Sequence, residues 1–240
     1  CGCPSPRVQS GDFGVVLMLS PQKVADCLKA MQDSVSVPVT VKHRIGVDDQ
    51  TSYGFVRDFV GTVHEAGTRV FIVHARAAWL KGLSPKENRD IPPLDRELAA
   101  RLKADFPDSI FVVNGGIKTL SECQTELNRF DGVMLGREAY NNPWLLTEVD
   151  HALYGDPEST LSRDEVVEQM ADYVDLVQER EPLAARTAVN HLMGLALGLP
   201  GGARHWRRLL TDPALWKTKK AGEIVRLAWK EVKPEAGLED

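Results

Sequence analysis

Apolar residues between positions 21 and 153 alternate between two kinds of spacing. Apolar positions three and four apart are typical of amphipathic helices, and short continuous apolar runs are typical of strands covered on both faces. The first spacing predicts helices over residues 21–33, 51–66, 94–106, 120–130 and 142–153. The second predicts strands over residues 37–43, 70–73, 110–113 and 132–135. This succession indicates βαβ units and a parallel sheet.

Strand patterns end after Gly155-Asp156-Pro157. Residues 161–179 have a helical period, and further helical segments follow. We therefore expect two domains, an α/β domain over residues 1–156 and an all-helical domain over residues 157–240.

Chemically capable residues follow each predicted strand. Lys42, His74, the run Asn114-Gly115-Gly116 and the pair Gly136-Arg137 all lie at carboxyl ends of strands. That is the face on which a (β/α)₈ barrel carries its active site. Four strands make half of such a barrel, and the chain opens Cys-Gly-Cys-Pro without a Met. We therefore expect the C-terminal half of a (β/α)8 TIM barrel, with the first strands missing.

Two adjacent strands end in glycine, after Asn114 and at Gly136. Glycines at such turns let backbone N–H groups approach a phosphate closely, and Arg137 adds a cation where a helix begins. Two tight turns without a ligand are the alternative. A repeat of the pattern on neighbouring strands favours phosphate binding.

Lys42 shares a strand face with Thr40 and Arg44, because side chains alternate along a strand. A lysine that points to solvent is the plain alternative, but a cation here would suit the electron-rich edge of a reduced flavin. His74 is equally compatible with a core histidine. Its place beside Lys42 and Asn114 in the expected sheet favours binding of a phosphate or a flavin.

Cys3 lies between Gly2 and Pro4, in a sharp turn where a strand should end. A structural thiol is the usual role of a single cysteine. A thiol presented at the active face can also act as a general acid if its pKa lies near the working pH. Cys27 and Cys123 fall in helical patterns, so we expect both to be buried in the core.

The 240 residues carry a net charge of −5, which argues against an indiscriminate nucleic-acid binder. Residues 186–220 nevertheless hold seven basic residues and one acidic residue, a net charge of +6. No apolar run reaches the length of a membrane span, and no pair of cysteines or histidines completes a zinc pattern. We therefore expect a cytoplasmic protein without a metal or a membrane partner.

These motifs together resemble the tRNA-dihydrouridine synthases. The resemblance rests on Gly2-Cys3-Pro4-Ser5, Val39-Thr40-Val41-Lys42, His74-Ala75-Arg76, Asn114-Gly115-Gly116-Ile117 and Gly136-Arg137, in order and spacing. The stretch His74–Asp95 and the run Arg204-His205-Trp206-Arg207-Arg208 are similar to the A-type bacterial subgroup. The resemblance covers essentially the whole chain.

The resemblance implies an FMN-bearing barrel followed by a helical domain that holds tRNA. In that family reduced flavin passes a hydride to C6 of uracil, a cysteine protonates C5, and NADPH is the reductant. Cys3 matches the proton donor. The positions that match FMN contacts are Lys42, His74, Asn114, Gly115, Gly116, Gly136 and Arg137. The subgroup acts on uridines 20 and 20a of the D-loop.

Contacts to tRNA are expected from two pairs of basic residues. Arg204 and Arg207 are three apart and would share a helix face. Lys86 and Arg89 have the same spacing in a loop expected over the barrel mouth, where a solvated charged turn is the alternative. We expect the protein to act as a monomer.

Two other functions remain open. A small-molecule FMN oxidoreductase of the dihydroorotate dehydrogenase or ene-reductase type shares the glycine-rich phosphate site, but it has no need of a helical segment with a charge of +6. An inactive fragment is the other possibility.

Overall fold

A computed structural model of the chain describes residues 1–200 and 202–233. The chain divides into two compact units, Cys1–Leu135 and Gly136–Asp240. The division falls earlier in the chain than the boundary that we predicted near residue 156. The assignment of residues 1–156 to catalysis and 157–240 to tRNA binding stays a prediction.

The first unit contains a four-stranded parallel sheet, which confirms the predicted α/β class. The strands are adjacent in chain order: β1 (Val41–Arg44), β2 (Val70–His74), β3 (Ile110–Asn114) and β4 (Gly132–Met134). That they form half of a (β/α)₈ barrel stays a prediction. Their register places four residues in one row across the carboxyl end of the sheet: Arg44, His74, Asn114 and Met134.

Alternation along the strands separates a buried apolar face from a face that carries polar groups. The rings of Phe71 and Phe111 stack on the buried face, with centroids 5.2 Å apart. His43 joins them from β1, and its ring centroid lies 5.3 Å from that of Phe59. Lys42 points to the opposite face because it is one residue from His43.

Five α-helices lie in the first unit, and side chains cap the last three of them. They are α1 (Pro6–Ser10), α2 (Pro21–Ser34), α3 (Tyr53–Glu65), α4 (Arg96–Asp105) and α5 (Leu120–Leu127), with 3₁₀ turns at Gly14–Leu19 and Glu87–Arg89. Ser52 caps α3, Asp95 caps α4, and Thr119 and Glu122 form a capping box at α5. Each cap contributes about 1 kcal/mol. The caps fix where each βα connection ends, and hence where the site residues lie.

Two local predictions for this unit are wrong. The strand predicted over residues 37–43 is shorter and shifted, because β1 begins only at Val41. Pro38 has no N–H to give to a sheet, which disfavours pairing at the start of that run. Cys27 is exposed although we predicted it to be buried, whereas Cys123 is buried as predicted.

Regular structure in the described part of the second unit is helical. The α-helices are α6 (Arg137–Asn141), α7 (Arg163–Arg180), α8 (Ala185–Asn190), α9 (Gly202–Leu210), α10 (Pro213–Thr218) and α11 (Ala221–Lys230). Their core forms around Trp206 and Trp229, whose rings meet edge to face at 5.9 Å. The Trp206 indole donates a hydrogen bond to the Leu192 carbonyl at 2.8 Å, so this buried N–H is satisfied.

The single helix predicted over residues 142–153 is also wrong. α6 ends at Asn141, and the predicted range is divided between a 3₁₀ helix over Pro143–Glu148 and a π-helix over Asp150–Tyr154. Pro143 follows α6 and disfavours helical geometry at Asn142, which separates α6 from the 3₁₀ helix.

Candidate functional site

A hydrogen-bonded chain of polar groups crosses the carboxyl end of the sheet. Lys42 Nζ donates to Asn114 Oδ1 at 3.1 Å, and Asn114 Nδ2 donates to the Met134 carbonyl at 2.8 Å. Asn114 therefore links β1 to β4 through its side chain. The amide is held in one orientation because its oxygen and its nitrogen have different partners.

The Lys42 amine is half-buried on this face. Burial lowers its pKa, and the positive charge of Arg44 lowers it further. Both causes disfavour the ammonium form, and an anion beside this amine would stabilise that form. The position therefore suits an electron-rich or anionic ligand group.

Gly115 and Gly116 directly follow β3 with φ angles of +121° and +71°. Residues with a side chain rarely adopt these backbone conformations. A Cβ on Gly115 would lie 2.9 Å from Cδ2 of His74, and one on Gly116 would lie 2.8 Å from Cδ1 of Leu94. Gly115 therefore keeps the backbone close to the His74 ring, at the end of the neighbouring strand, and Gly116 keeps it close to Leu94.

Arg44 connects the end of β1 to the segment that carries Cys3. Its Nε donates to the Gly2 carbonyl at 2.9 Å, and its Nη1 donates to the carbonyls of Ala77 and Asn88 at 3.0 and 2.8 Å. Burial lowers the pKa of Arg44 to about 10, and the Cys3 sulfur opposes that change. The hydrogen bond from Arg44 to the Gly2 carbonyl places the neighbouring Cys3 at the same end of the sheet.

The Cys3 thiol is exposed and lies in a positive environment. Burial acts to raise its pKa, but hydrogen bonds from the Ser5 backbone and hydroxyl and the charges of Arg44 and Arg89 together lower it. Each of these groups stabilises the thiolate. The shift moves the thiol toward the range in which it can exchange a proton near neutral pH.

The loop after β2 is organised by Asn88, which is fully buried. Its Oδ1 accepts from the Trp79 N–H at 2.8 Å, and its Nδ2 donates to the Trp79 carbonyl at 2.8 Å. Lys86 and Arg89 flank it and are exposed. The positive charge of Arg89 is one of the causes that lower the pKa of Cys3. The place of Lys86 and Arg89 in tRNA binding stays a prediction.

Sequence reasoning missed three side chains that shape the site. Arg44 was noted only as a neighbour of Lys42, and its alternation with Lys42 was the available indication. No sequence pattern indicated a role for Asn88 or Arg96. Arg96 donates to the Gly115 carbonyl at 2.9 Å, which no local pattern predicts because the two residues lie on different elements.

Other predicted residues lie in the second unit. Gly136 precedes α6, and Arg137 is its first residue. Arg204 and Arg207 are both exposed on α9, whose buried side carries Trp206 and Leu210. Their positions on one exposed side of a helix agree with the predicted spacing, and their contacts with ligands stay predictions.

Residues 1–200 and 202–233 contain neither a metal-binding cluster nor a membrane-spanning helix. No cluster of three or more His, Cys, Asp or Glu side chains has a geometry that would hold a metal ion. Across the same residues, the helices are too short or too polar to span a bilayer.

Fold and site together define a parallel α/β protein with a polar, glycine-lined site at the carboxyl ends of its strands. The family model described as "Dihydrouridine synthase (Dus)" matches residues 1–230. The chain belongs to the dihydrouridine synthase family.

Several curated proteins with the name tRNA-dihydrouridine(20/20a) synthase are similar to the chain. The one from Pseudomonas putida is 56% identical over 210 residues, which cover 88% of this chain and 62% of that protein. The one from Shewanella oneidensis is 48% identical over 235 residues, covering 98% and 69%. The one from Escherichia coli is 52% identical over 218 residues, covering 89% and 64%. The chain thus spans less than two thirds of the Pseudomonas putida relative's length.

Proposed function

We propose that this protein reduces uridine to 5,6-dihydrouridine in the D-loop of tRNA, at positions 20 and 20a, with FMN as cofactor and NADPH as reductant. Membership of the family and the names of the relatives support the reaction and the substrate. The observation that carries the proposal is the junction of Lys42, Asn114, His74 and the glycine pair at the carboxyl end of adjacent strands.

The residues of this junction fit FMN. A flavin mononucleotide needs a donor for the electron-rich edge of its ring system and N–H groups for its phosphate. The half-buried amine of Lys42 supplies the first. The Gly115–Gly116 backbone supplies the second, because it has no side chains and lies beside the His74 ring. We propose that Asn114 positions Lys42, and that Gly136 and Arg137 also take part in phosphate binding.

Bound FMN, once reduced by NADPH, would supply a hydride to C6 of the uracil ring. Cys3 then supplies the second half of the reduction by donating its Sγ proton to C5. The C5=C6 double bond is lost, two C–H bonds form, and a thiolate remains on Cys3. Because Cys3 is exposed, solvent can return the proton after product leaves.

The surroundings of Cys3 suit a general acid. An acid is most effective when its pKa lies near the working pH, and such a group typically contributes about 10²- to 10⁴-fold to the rate. Arg44, Arg89 and Ser5 lower the pKa of Cys3 toward that range. Arg44 also holds the Gly2 carbonyl, and it therefore fixes the backbone next to the thiol.

Substrate binding is proposed for the exposed basic residues. A uridine must leave its stack to reach the flavin, so the protein must hold the backbone of the RNA around it. Lys86 and Arg89 are exposed on the loop after β2, and the charge of Arg89 acts on Cys3; Arg204 and Arg207 lie on the exposed side of α9. We propose that these four bind phosphates of tRNA. A monomer in the cytoplasm, where tRNA is modified, is part of the same proposal.

The variant Cys3→Ala tests the assignment of roles. In the complete product of the gene, it should retain bound FMN, seen by visible absorbance, and lose most dihydrouridine formation. Cys27→Ala is the matched control, because Cys27 is also exposed but lies on α2. Unchanged product formation in Cys3→Ala would remove Cys3 from the mechanism, and failure of the unaltered protein to bind FMN would contradict the proposed cofactor.

A further inference from the structure

Arg96, the first residue of α4, joins the glycine pair to α5. Its Nη2 donates to the Gly115 carbonyl at 2.9 Å. Its Nη1 donates to Oε1 of Glu126, on α5, at 3.0 Å. One guanidinium therefore fastens the turn after β3 to the helix that follows it.

The ion pair is largely removed from solvent. The Glu126 side chain is 7% exposed and that of Arg96 is 24% exposed. Oε2 of Glu126 and Nε of Arg96 are buried without a hydrogen-bond partner among the described residues. A buried carboxylate is costly without a cation, so each member of the pair depends on the other to remain in place.

The contact also sets the direction of a neighbouring N–H group. The Gly115 carbonyl and the Gly116 N–H belong to one trans peptide unit, and in such a unit they point in opposite directions. A carbonyl held by Arg96 therefore turns the Gly116 N–H away from Arg96. Glycine populates many conformations, so this turn needs an external contact to select one of them.

The guanidinium of Arg76 also lies near the Gly115–Gly116 peptide. The position of a Cβ on Gly116 is 3.7 Å from Nη2 of Arg96 and 4.0 Å from Nη2 of Arg76. The charge of Arg96 is balanced by Glu126, whereas its hydrogen bond to Gly115 orients the backbone. Arg96 thus has the contacts of a residue that positions the turn.

We propose that Arg96 and Glu126 are a positioning pair for the phosphate-binding turn: they hold the Gly115–Gly116 peptide so that its N–H is presented to the phosphate of FMN. The inference rests on the proposed function. It assigns the pair to one part of the cofactor, and the pair should therefore matter for FMN but not for riboflavin, which has no phosphate.

Two variants and a control test this pair. Arg96→Met removes both hydrogen bonds but leaves Glu126 buried without a cation, which threatens folding. Arg96→Met combined with Glu126→Leu replaces the pair by apolar side chains, an exchange that folded proteins often tolerate. Arg101→Met is the matched control, because Arg101 lies on the same helix and contacts the Tyr53 ring.

Dissociation constants for FMN and for riboflavin are measured on the unaltered protein and each variant. We expect FMN binding to weaken about ten- to hundredfold in both Arg96 variants, while their riboflavin binding stays unchanged. In Arg101→Met, the dissociation constants of both ligands should equal those of the unaltered protein. An unchanged ratio of the two constants in the double variant overturns the inference and leaves the proposed function intact. Absence of FMN binding in the unaltered protein overturns both.

Discussion

Arg44 Nε donates a hydrogen bond to the carbonyl oxygen of Gly2, at 2.9 Å. The same guanidinium also binds the carbonyls of Ala77 and Asn88. One buried side chain therefore fastens the end of β1, the loop after β2 and the backbone beside Cys3. Carbonyl partners leave its positive charge unneutralised, and that charge acts on the thiol.

Replacement of Arg44 should change the acidity of Cys3. Because the Arg44 charge stabilises the thiolate, Arg44→Met should raise the pKa of Cys3 and slow alkylation of the thiol near neutral pH. The rate of reaction with iodoacetamide, followed at Cys3 by peptide mass spectrometry across a pH series, measures this. Arg57→Met, on the exposed side of α3, is the control. An unaltered pH profile in Arg44→Met would contradict the proposed electrostatic link.

Removal of the Asn114 side chain should weaken both the fold and flavin binding. Asn114→Ala leaves the Met134 carbonyl without its donor and Lys42 without its acceptor. These hydrogen bonds are partly buried, so their loss should lower the free energy of unfolding by about 1 kcal/mol. Urea titration and FMN binding measure the two effects. Asn128→Ala, at the exposed end of α5, should change neither. FMN binding as tight as in the unaltered protein would contradict the role given to Asn114.

His43 should make the stability of the first unit depend on pH. Burial lowers its pKa to about 4, the hydrogen bond to the Arg44 carbonyl opposes this, and the charge of Lys42 adds to it. Between pH 4 and 6.5 the unfolded chain binds a proton that the folded protein does not, so stability is lost as the pH falls through this range. The loss is on the order of 3 kcal/mol.

His43→Phe should remove this dependence, because Phe can pack against Phe59 and Phe71 without binding a proton. The difference in free energy of unfolding between the variant and the unaltered protein is measured from pH 4.5 to 7.5. As the pH falls, the unaltered protein should lose stability that His43→Phe keeps, so the variant should become more stable relative to it. A difference that stays constant over the series would show that His43 is not buried in neutral form.

Arg204 and Arg207 should contribute to tRNA binding through charge. Replacing both by Ala should weaken binding and reduce the slope of log affinity against log salt by up to about two, since each phosphate contact releases about one counterion. Filter binding across a salt series measures the slope. Arg57→Ala serves as a control from the first unit. An unaltered slope in the double variant would place the RNA surface elsewhere.

Much of the fold follows from local patterns. The period of α2 and the apolar run of β3 are properties of neighbouring residues, and both were predicted to within a few positions. The predictions failed where contacts with other elements, and not the neighbouring residues in the chain, determine the local structure. Cys27 lies next to the buried Leu28, at the border of the apolar side of α2, and packing rather than period leaves it exposed. The start of β1 depends on pairing with β2.

The candidate site divides in the same way. Lys42, His74 and Asn114 were found because each was predicted at the carboxyl end of a strand. His74 and Asn114 do end β2 and β3, and the sheet register brings them into line, whereas Lys42 lies two residues before the end of β1. Arg96 and Glu126 were missed, because thirty positions of sequence separate them and only the tertiary fold brings the two side chains together. Their hydrogen bonds depend on tertiary structure, which no local period encodes.

Mapping dihydrouridine in tRNA tests the central claim most directly. Unmodified tRNA is incubated with the complete product of the gene, FMN and NADPH, and the nucleosides at each position are identified by mass spectrometry. The account predicts that uridines 20 and 20a gain the mass of two hydrogen atoms, and that the gain requires FMN and Cys3. Uridines that remain unreduced, in the presence of protein with bound FMN and excess NADPH, would contradict it.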